Sequence, residues 1–324
     1  MVAYILRRIG PSILTMLSMA IIVFIGVFYI GDPIEMLVNV DADEQTRAKV
    51  AASLGLDLPM HEQFWQFLKN LIKGDLGDSF VHNEPALQVI LDRMPATMEL
   101  AICAVLLAIV FGIPLGIWSG LRPDSFSGKL IMSGSILGFS LPTFWVGLMF
   151  ILVFSVQLGW LPASGRGEVS YILGIPVSFL SWEGMSHLIL PALNLGLLKV
   201  ALVIRLARAG TSEVVQQDFI KFARAKGVSQ SRLILVHLLK NIMIPVVTVL
   251  GIEFGSLIAF AVITETIFSW PGMGKLLIES IVQLDRPVIV AYLLLVTFIF
   301  IVINLLVDVL YSALDPRVRL GGKS

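Results

Sequence analysis

Two glycine-rich fragments have the residue types of a phosphate-binding loop. Gly272-Met273-Gly274-Lys275 is followed by Leu276 where such a loop needs Ser or Thr for magnesium, and Ser269 occupies the place of its first glycine. Gly321-Gly322-Lys323-Ser324 has Arg317 at that place and no following helix whose amides could hold a phosphate. Neither is expected to bind a nucleotide. His61, His82, His187 and His237 are scattered without metal-ligand spacing, and Cys103 stands in an apolar run away from any histidine. Ser133, Ser135 and Ser140 have no histidine at comparable depth, which argues against an intramembrane hydrolase. Energy for any uphill transport must therefore come from another subunit or from an ion gradient.

The composition explains why polar chemistry is scarce. Hydrophobic residues make up 57% of the 324 residues and charged ones 14%, whereas soluble chains average about 45–50% and 25%. Six stretches reach the roughly 20 apolar residues needed to cross a bilayer as helices. They are Ile9 to Ile30, Glu99 to Gly120, Leu130 to Leu158, His187 to Arg208, Met243 to Thr264 and Val288 to Tyr311. The first is too long for a signal-peptide core and is read as a retained helix.

Within these spans the clear mid-depth charges are Lys199 and Glu253, accompanied by Asn194 and Asn304. An unpaired charge at that depth costs several kcal/mol, so Lys199 and Glu253 should face each other, a polar lumen or a partner subunit. They are either a translocation-path pair or a structural ion pair. The asparagines suit interhelical hydrogen bonds better than ligand contact. One mid-span acid is too few for the ion coupling of a secondary transporter, the less favoured alternative.

An even number of spans puts both ends of the chain on one side, and Lys and Arg accumulate there: Arg7 and Arg8, Arg122 and Lys129, seven in the 209–242 region and its flanks, and Arg317, Arg319 and Lys323. That side is read as cytoplasmic. Most acids fall on the other side, so the zero net charge resolves into opposite charges across the membrane. The domain reading is 1–30 for the cytoplasmic N-terminus and first span, 31–98 for a small external cap, 99–311 for the five-span core and 312–324 for a cytoplasmic tail. The cap should hold helices at Asp43 to Leu54 and His61 to Ile72, followed by turns at Gly74-Asp75-Leu76-Gly77.

The cytoplasmic loop 209–242 should contain a helix from Val214 to Lys226, stopped by Gly227. Phe219, Phe222 and Ala223 would share one stripe, with Lys221 and Arg224 elsewhere, giving an apolar knob among cations. Such a helix either lies on anionic lipid or docks into a groove on another protein.

At this loop the chain resembles the inner-membrane permease subunits of bacterial ATP-binding-cassette importers, in the dipeptide, oligopeptide and nickel group. The likeness is carried by Asp218-Phe219-Ile220-Lys221-Phe222-Ala223-Arg224-Ala225-Lys226-Gly227, continuing through His237, Asn241 and Pro245. It extends in order over Tyr4 to Arg8, Gly31-Asp32-Pro33, Gly74 to Gly77, Pro95 to Leu100, Leu161 to Gly165, Glu265 to Gly272 and Asp315-Pro316-Arg317. Against the general importer pattern of Glu-Ala-Ala, three residues and Gly, only Ala223 and Gly227 remain, and Lys221 reverses the charge of the first position.

The resemblance implies an all-α polytopic membrane protein with six transmembrane helices, the type I importer permease architecture and an external cap. It implies a homologous second permease subunit, two cytoplasmic ATPase subunits, an external substrate-binding protein and the bilayer as partners, with no nucleic acid. ATP and magnesium would sit on the ATPases and no cofactor on this chain, placed in a bacterial inner membrane. Residues 214–227 would couple the ATPases to the spans. Lys199, Glu253, Asn194 and Glu265 would belong to the path. Gly165-Arg166-Gly167 would approach the binding protein, Arg166 either engaging an acidic group on that partner or on the peptide terminus, or standing exposed without such a role. Trp270-Pro271-Gly272 either starts a re-entrant element reaching Asp285 or forms an external turn and surface helix. The expected cargo is a di- or oligopeptide, with nickel, glutathione or another small solute as alternatives.

Overall fold

The structure is a computed structural model that describes residues 2–29, 44–53 and 57–314. The expected features at Gly31-Asp32-Pro33, at Asp315-Pro316-Arg317 and at Gly321 to Ser324 lie outside the described residues. The chain forms two compact units, Met1–Pro95 with Gly272–Ile301 and Ala96–Pro271 with Val302–Ser324.

In the first unit, α1 (Val2–Tyr29) carries an apolar stretch at Gly10–Gly26. Helix α2 (Glu44–Ser53) and helix α3 (Met60–Lys73) occupy the expected cap positions to within a few residues. Gly74 closes α3 with φ 77°, a left-handed conformation that costs glycine nothing. Residues of α3 pack on α1 and on the start of α11 (Arg286–Leu314), around Ala20, Val23, Val290 and Leu294. The turn after α3 is pinned from the residue just before α11: the fully buried Asp285 accepts hydrogen bonds from the Ser79 hydroxyl and, at 3.1 Å, from the Phe80 N–H. Helix α10 (Met273–Val282) is regular and buries Met273, Gly274, Leu276 and Ser280. The stretch after Gly272 is thus an ordinary helix.

The second unit is organised on α7 (Trp182–Val215), whose neighbours are α4 (Ala86–Leu121), α5 (Phe126–Ser140), α6 (Thr143–Gln157) and α9 (Gln230–Ile267). Its core gathers Ala108 and Ile113 from α4, Val203 and Ala207 from α7, and Ile242, Val246 and Leu250 from α9. Close approach of α4 to α7 rests on Gly112, Gly116 and Gly120. A Cβ at these positions would lie 2.8 Å from Val203, 2.5 Å from Ala207 and 2.6 Å from Thr211. Three glycines at four-residue spacing form the small-residue seam by which membrane helices pack without a hydrophobic driving force. The helix widens to π geometry at Ala108–Gly112, directly ahead of Pro114, whose missing N–H removes the ordinary bond to Val110.

Two expectations are corrected here. Leu130 to Leu158 is not one straight span: α5 and α6 meet at 106°. Leu141 precedes Pro142 and is driven to extended backbone, φ −81° and ψ 134°, which no helix can continue through. The all-α class also needs an amendment, because the loop after α6 contains a small hairpin, β1 (Ser170–Ile172) paired antiparallel with β2 (Ile175–Val177). Among the described residues, four helices are long and apolar enough to span a membrane: α4, α7, α9 and α11 within Arg286–Val309. The bent α5–α6 pair makes a fifth if it counts as one span.

Candidate functional site

Polar side chains of the second unit gather in three places. The first lies between α7 and α9. Lys199 Nζ pairs with Glu253 Oε2 and donates to Ser256 Oγ at 3.2 Å, while Ser256 donates to Glu253 Oε2 at 3.0 Å. The Glu253 side chain is still 32% exposed, against 14% for Lys199. The sequence places these charges one to a helix; the fold makes them neighbours on an open face.

The second place lies at the end of α4 that contains Glu99. Arg166 Nη2 is 2.7 Å from Glu99 Oε2, Arg166 Nε donates to Ser178 Oγ at 3.0 Å, and Arg166 Nη2 also donates to the Pro176 carbonyl at 2.8 Å. The Ser178 N–H donates to Glu99 Oε1 at 2.6 Å. The guanidinium stacks 5.6 Å from the ring centroid of Trp270, whose indole N–H donates to the Ala96 carbonyl at 2.9 Å. Gly165 and Gly167, with φ 89° and 68°, supply the tight path that turns Arg166 inward. A Cβ at Gly167 would meet His187 Nδ1 at 2.6 Å. The expectation that Arg166 is an exposed side chain is therefore corrected: it is 10% exposed, and its Nε and Nη2 donate within the fold.

Asn194 and Glu265 lie in the same polar layer, but closed off. Asn194 Nδ2 donates to Thr264 Oγ1 at 3.0 Å, Thr97 Oγ1 donates to Glu265 Oε1 at 2.6 Å, and both residues are almost wholly buried. Of the four path candidates, the structure brings Lys199 and Glu253 together in an open position and seats the other two inside helix packing.

The third place is the cytoplasmic connection as read from the sequence. Here α7 runs on to Val215 and α9 begins at Gln230, so the expected 209–242 loop shrinks to residues 216–229. The helix inside it, α8, spans Asp218–Ala225 rather than starting at Val214, because Gln217 is extended at φ −67° and ψ 144°. Gly227 follows at φ 75°. Ile220 and Ala223 are buried against Leu233, with Val214 and Val228 packed beside them. Ala223 thus belongs to the root of the segment, not to the exposed stripe. Phe219 and Phe222 remain outside, 44% and 61% exposed. Lys226 Nζ sits 4.6 Å over the Phe222 ring, and Lys221 pairs with Asp218 at 2.9 Å. Arg224 and Ala225 complete the helix. Sequence reading missed the glycine seam and Glu99. Both had a signal: four-residue spacing in one case, a lone acid at the start of an apolar run in the other.

Comparison with known proteins agrees along the chain. Residues 112–320 match the family described as "Binding-protein-dependent transport system inner membrane component", and residues 1–101 match its N-terminal companion. The di/tripeptide transport system permease protein DppB of Pseudomonas aeruginosa is 39% identical over 333 residues, covering 98% of this chain and 99% of that protein. The glutathione transport system permease protein GsiC of Escherichia coli K12 is 38% identical over 320 residues with the same coverage. Among solved structures, the inward-facing MetNI methionine transporter aligns with a TM-score of 0.53 at 13% identity, over 70% of this chain and 97% of that one, which is a likeness of fold. This chain belongs to the family of inner membrane permease components of binding-protein-dependent ATP-binding-cassette importers, whose members are non-catalytic subunits.

Proposed function

We propose that this chain forms one half of a translocation path for short peptides delivered by an external binding protein. The observation that carries the cargo is end-to-end similarity, at 39% identity, to a permease named for di- and tripeptides. A glutathione permease is similar to nearly the same degree, and glutathione is itself a tripeptide, so it is the second reading. In this proposal the chain crosses the membrane six times. The sixth span is α1, where the Gly10–Gly26 stretch is continued by Val27-Phe28-Tyr29-Ile30. Both ends then lie in the cytoplasm, and 31–98 forms the external cap.

A homologous permease supplies the other half of the path, and two ATPases work from the cytoplasmic side. Segment 218–227 is the coupling element. Its root of Ile220 and Ala223 ties it to Val214 and Leu233 at the ends of α7 and α9, so a push on Phe219 and Phe222 moves both helices. The Lys199–Glu253 pair faces the path or the second permease, because a half-open ion pair turned to lipid at mid-depth costs several kcal/mol. Arg166 holds the outer loop from behind, and contact with the binding protein falls to the exposed hairpin side chains Tyr171 and Leu173.

Cargo is tested by competition. A labelled dipeptide taken up by the assembled importer should be displaced by unlabelled di- and tripeptides. Uptake of labelled glutathione with no uptake of the labelled dipeptide would select the second reading.

A further inference from the structure

We propose that α3 is an interfacial helix, its Trp65–Ile72 edge embedded among the lipids of the outer leaflet. This rests on α1 and α11 crossing the membrane in the sense given above.

The depth of α3 follows from what it packs against. Phe24 of α1 touches Phe64 and Phe67 with ring centroids 5.1 and 5.7 Å apart. Phe24 lies 16 residues beyond Arg8, about 24 Å along the helix, in a hydrocarbon layer about 30 Å thick. That places the contact about 6 Å inside the outer boundary. The other wall agrees: Val290 and Leu294, in the same cluster, lie about 6 and 12 Å along α11 from Arg286.

At 100° per residue, Phe64, Phe67 and Leu71 form the face turned to α1 and α11, with Leu68 beside them, and Ile72 and Trp65 continue the apolar arc past it. The protein covers only part of that arc: Trp65 is 60% and Ile72 86% exposed. Beyond Trp65 the helix turns polar through Lys69, Lys73, Glu62 and Gln66, and Lys69 Nζ lies 5.8 Å over the Trp65 ring. An apolar flank bounded by tryptophan and lysine is the pattern of helices that lie 5–10 Å into the headgroup boundary. A water-soluble binding protein does not reach that depth, whereas lipid does.

The test uses the assembled transporter in nanodiscs of phosphatidylethanolamine and phosphatidylglycerol. Cys103 is replaced by alanine and a spin label is placed at position 65, 72, 62 or 66. Labels at 65 and 72 should be relaxed by oxygen several-fold more than by an aqueous nickel chelate, with the opposite order at 62 and 66. Equal nickel relaxation at all four positions overturns the proposal. So does nickel access at 65 and 72 that is lost only on adding the binding protein, which would assign the edge to that protein. Quenching of tryptophan by lipids brominated near the headgroup reads the same contact without a label. It should fall in Trp65→Tyr, and unchanged quenching contradicts the proposal. None of these outcomes depends on which cargo is carried.

Discussion

Glu99 and Arg166, 67 residues apart in the chain, form an ion pair at 2.7 Å with their side chains only 4% and 10% exposed. Arg166 also donates to Ser178 Oγ and the Pro176 carbonyl, and the Ser178 N–H donates to Glu99, so the 159–181 loop is fastened to α4 around Glu99. Pairs of this kind contribute little net stability against a well-packed apolar replacement, yet breaking one leaves an uncompensated buried charge.

Arg166→Ala should therefore destabilise the second unit by about 3–5 kcal/mol. Limited proteolysis of the assembled transporter should show new cleavage between residues 159 and 181. Glu99→Leu combined with Arg166→Met should recover part of the stability, read as midpoint temperature in detergent.

The glycine seam makes a sharper steric prediction. Gly116→Leu forces side-chain atoms into Ala207 and the Ile204 backbone, and overpacking of this kind costs about 1–3 kcal/mol or more. Gly134→Ala, at a position with open space, should leave yield and stability of the assembled complex unchanged. Equal behaviour of the two variants would remove the seam from the account.

Introducing a charge separates the two faces of α8. Phe222→Glu alters only the exposed face, so the permease should fold while ATPase association or coupled transport falls at least about tenfold, the loss of 1.4 kcal/mol or more. Ala223→Glu buries a charge beside Ile220 and Leu233 and should disorder the segment itself. Gly227→Leu should act through the backbone, at about 1–2 kcal/mol for a left-handed leucine. Pull-down of the ATPase subunits alongside thermal stability checks all three.

For the mid-membrane pair, Lys199→Met alone should cost more stability than Lys199→Met with Glu253→Leu, because the single change strands a carboxylate. If the pair serves the path, the double variant regains stability while peptide uptake stays low. Uptake restored in step with stability would make it a structural pair.

The long apolar helices were largely readable from apolar run length, since a bilayer demands it, and the helix at Met60–Lys73 followed from periodicity at His61 to Ile72. What failed did so for local reasons. The Leu141-Pro142 break hides within an apolar run whose length suggests a single crossing. The true start of α8 depends on one extended residue, Gln217, that no propensity marks. Ala223 was misplaced because a short helix between two others has two apolar faces, and sequence alone cannot say which of them packs inward. Arg166 was misread because its partner, Glu99, is remote in sequence and visible only once the loop is folded back on α4. The Lys199–Glu253 pairing, by contrast, was one of the few options that mid-membrane electrostatics leaves.

The central claim is that this chain conducts only as part of an ATP-driven importer. The most direct test is uptake of a labelled short peptide into vesicles containing this chain, with and without the second permease, the ATPases, the binding protein and ATP. The account predicts uptake only when all are present, abolished by withholding ATP. Uptake by this polypeptide alone, without ATP, would contradict it.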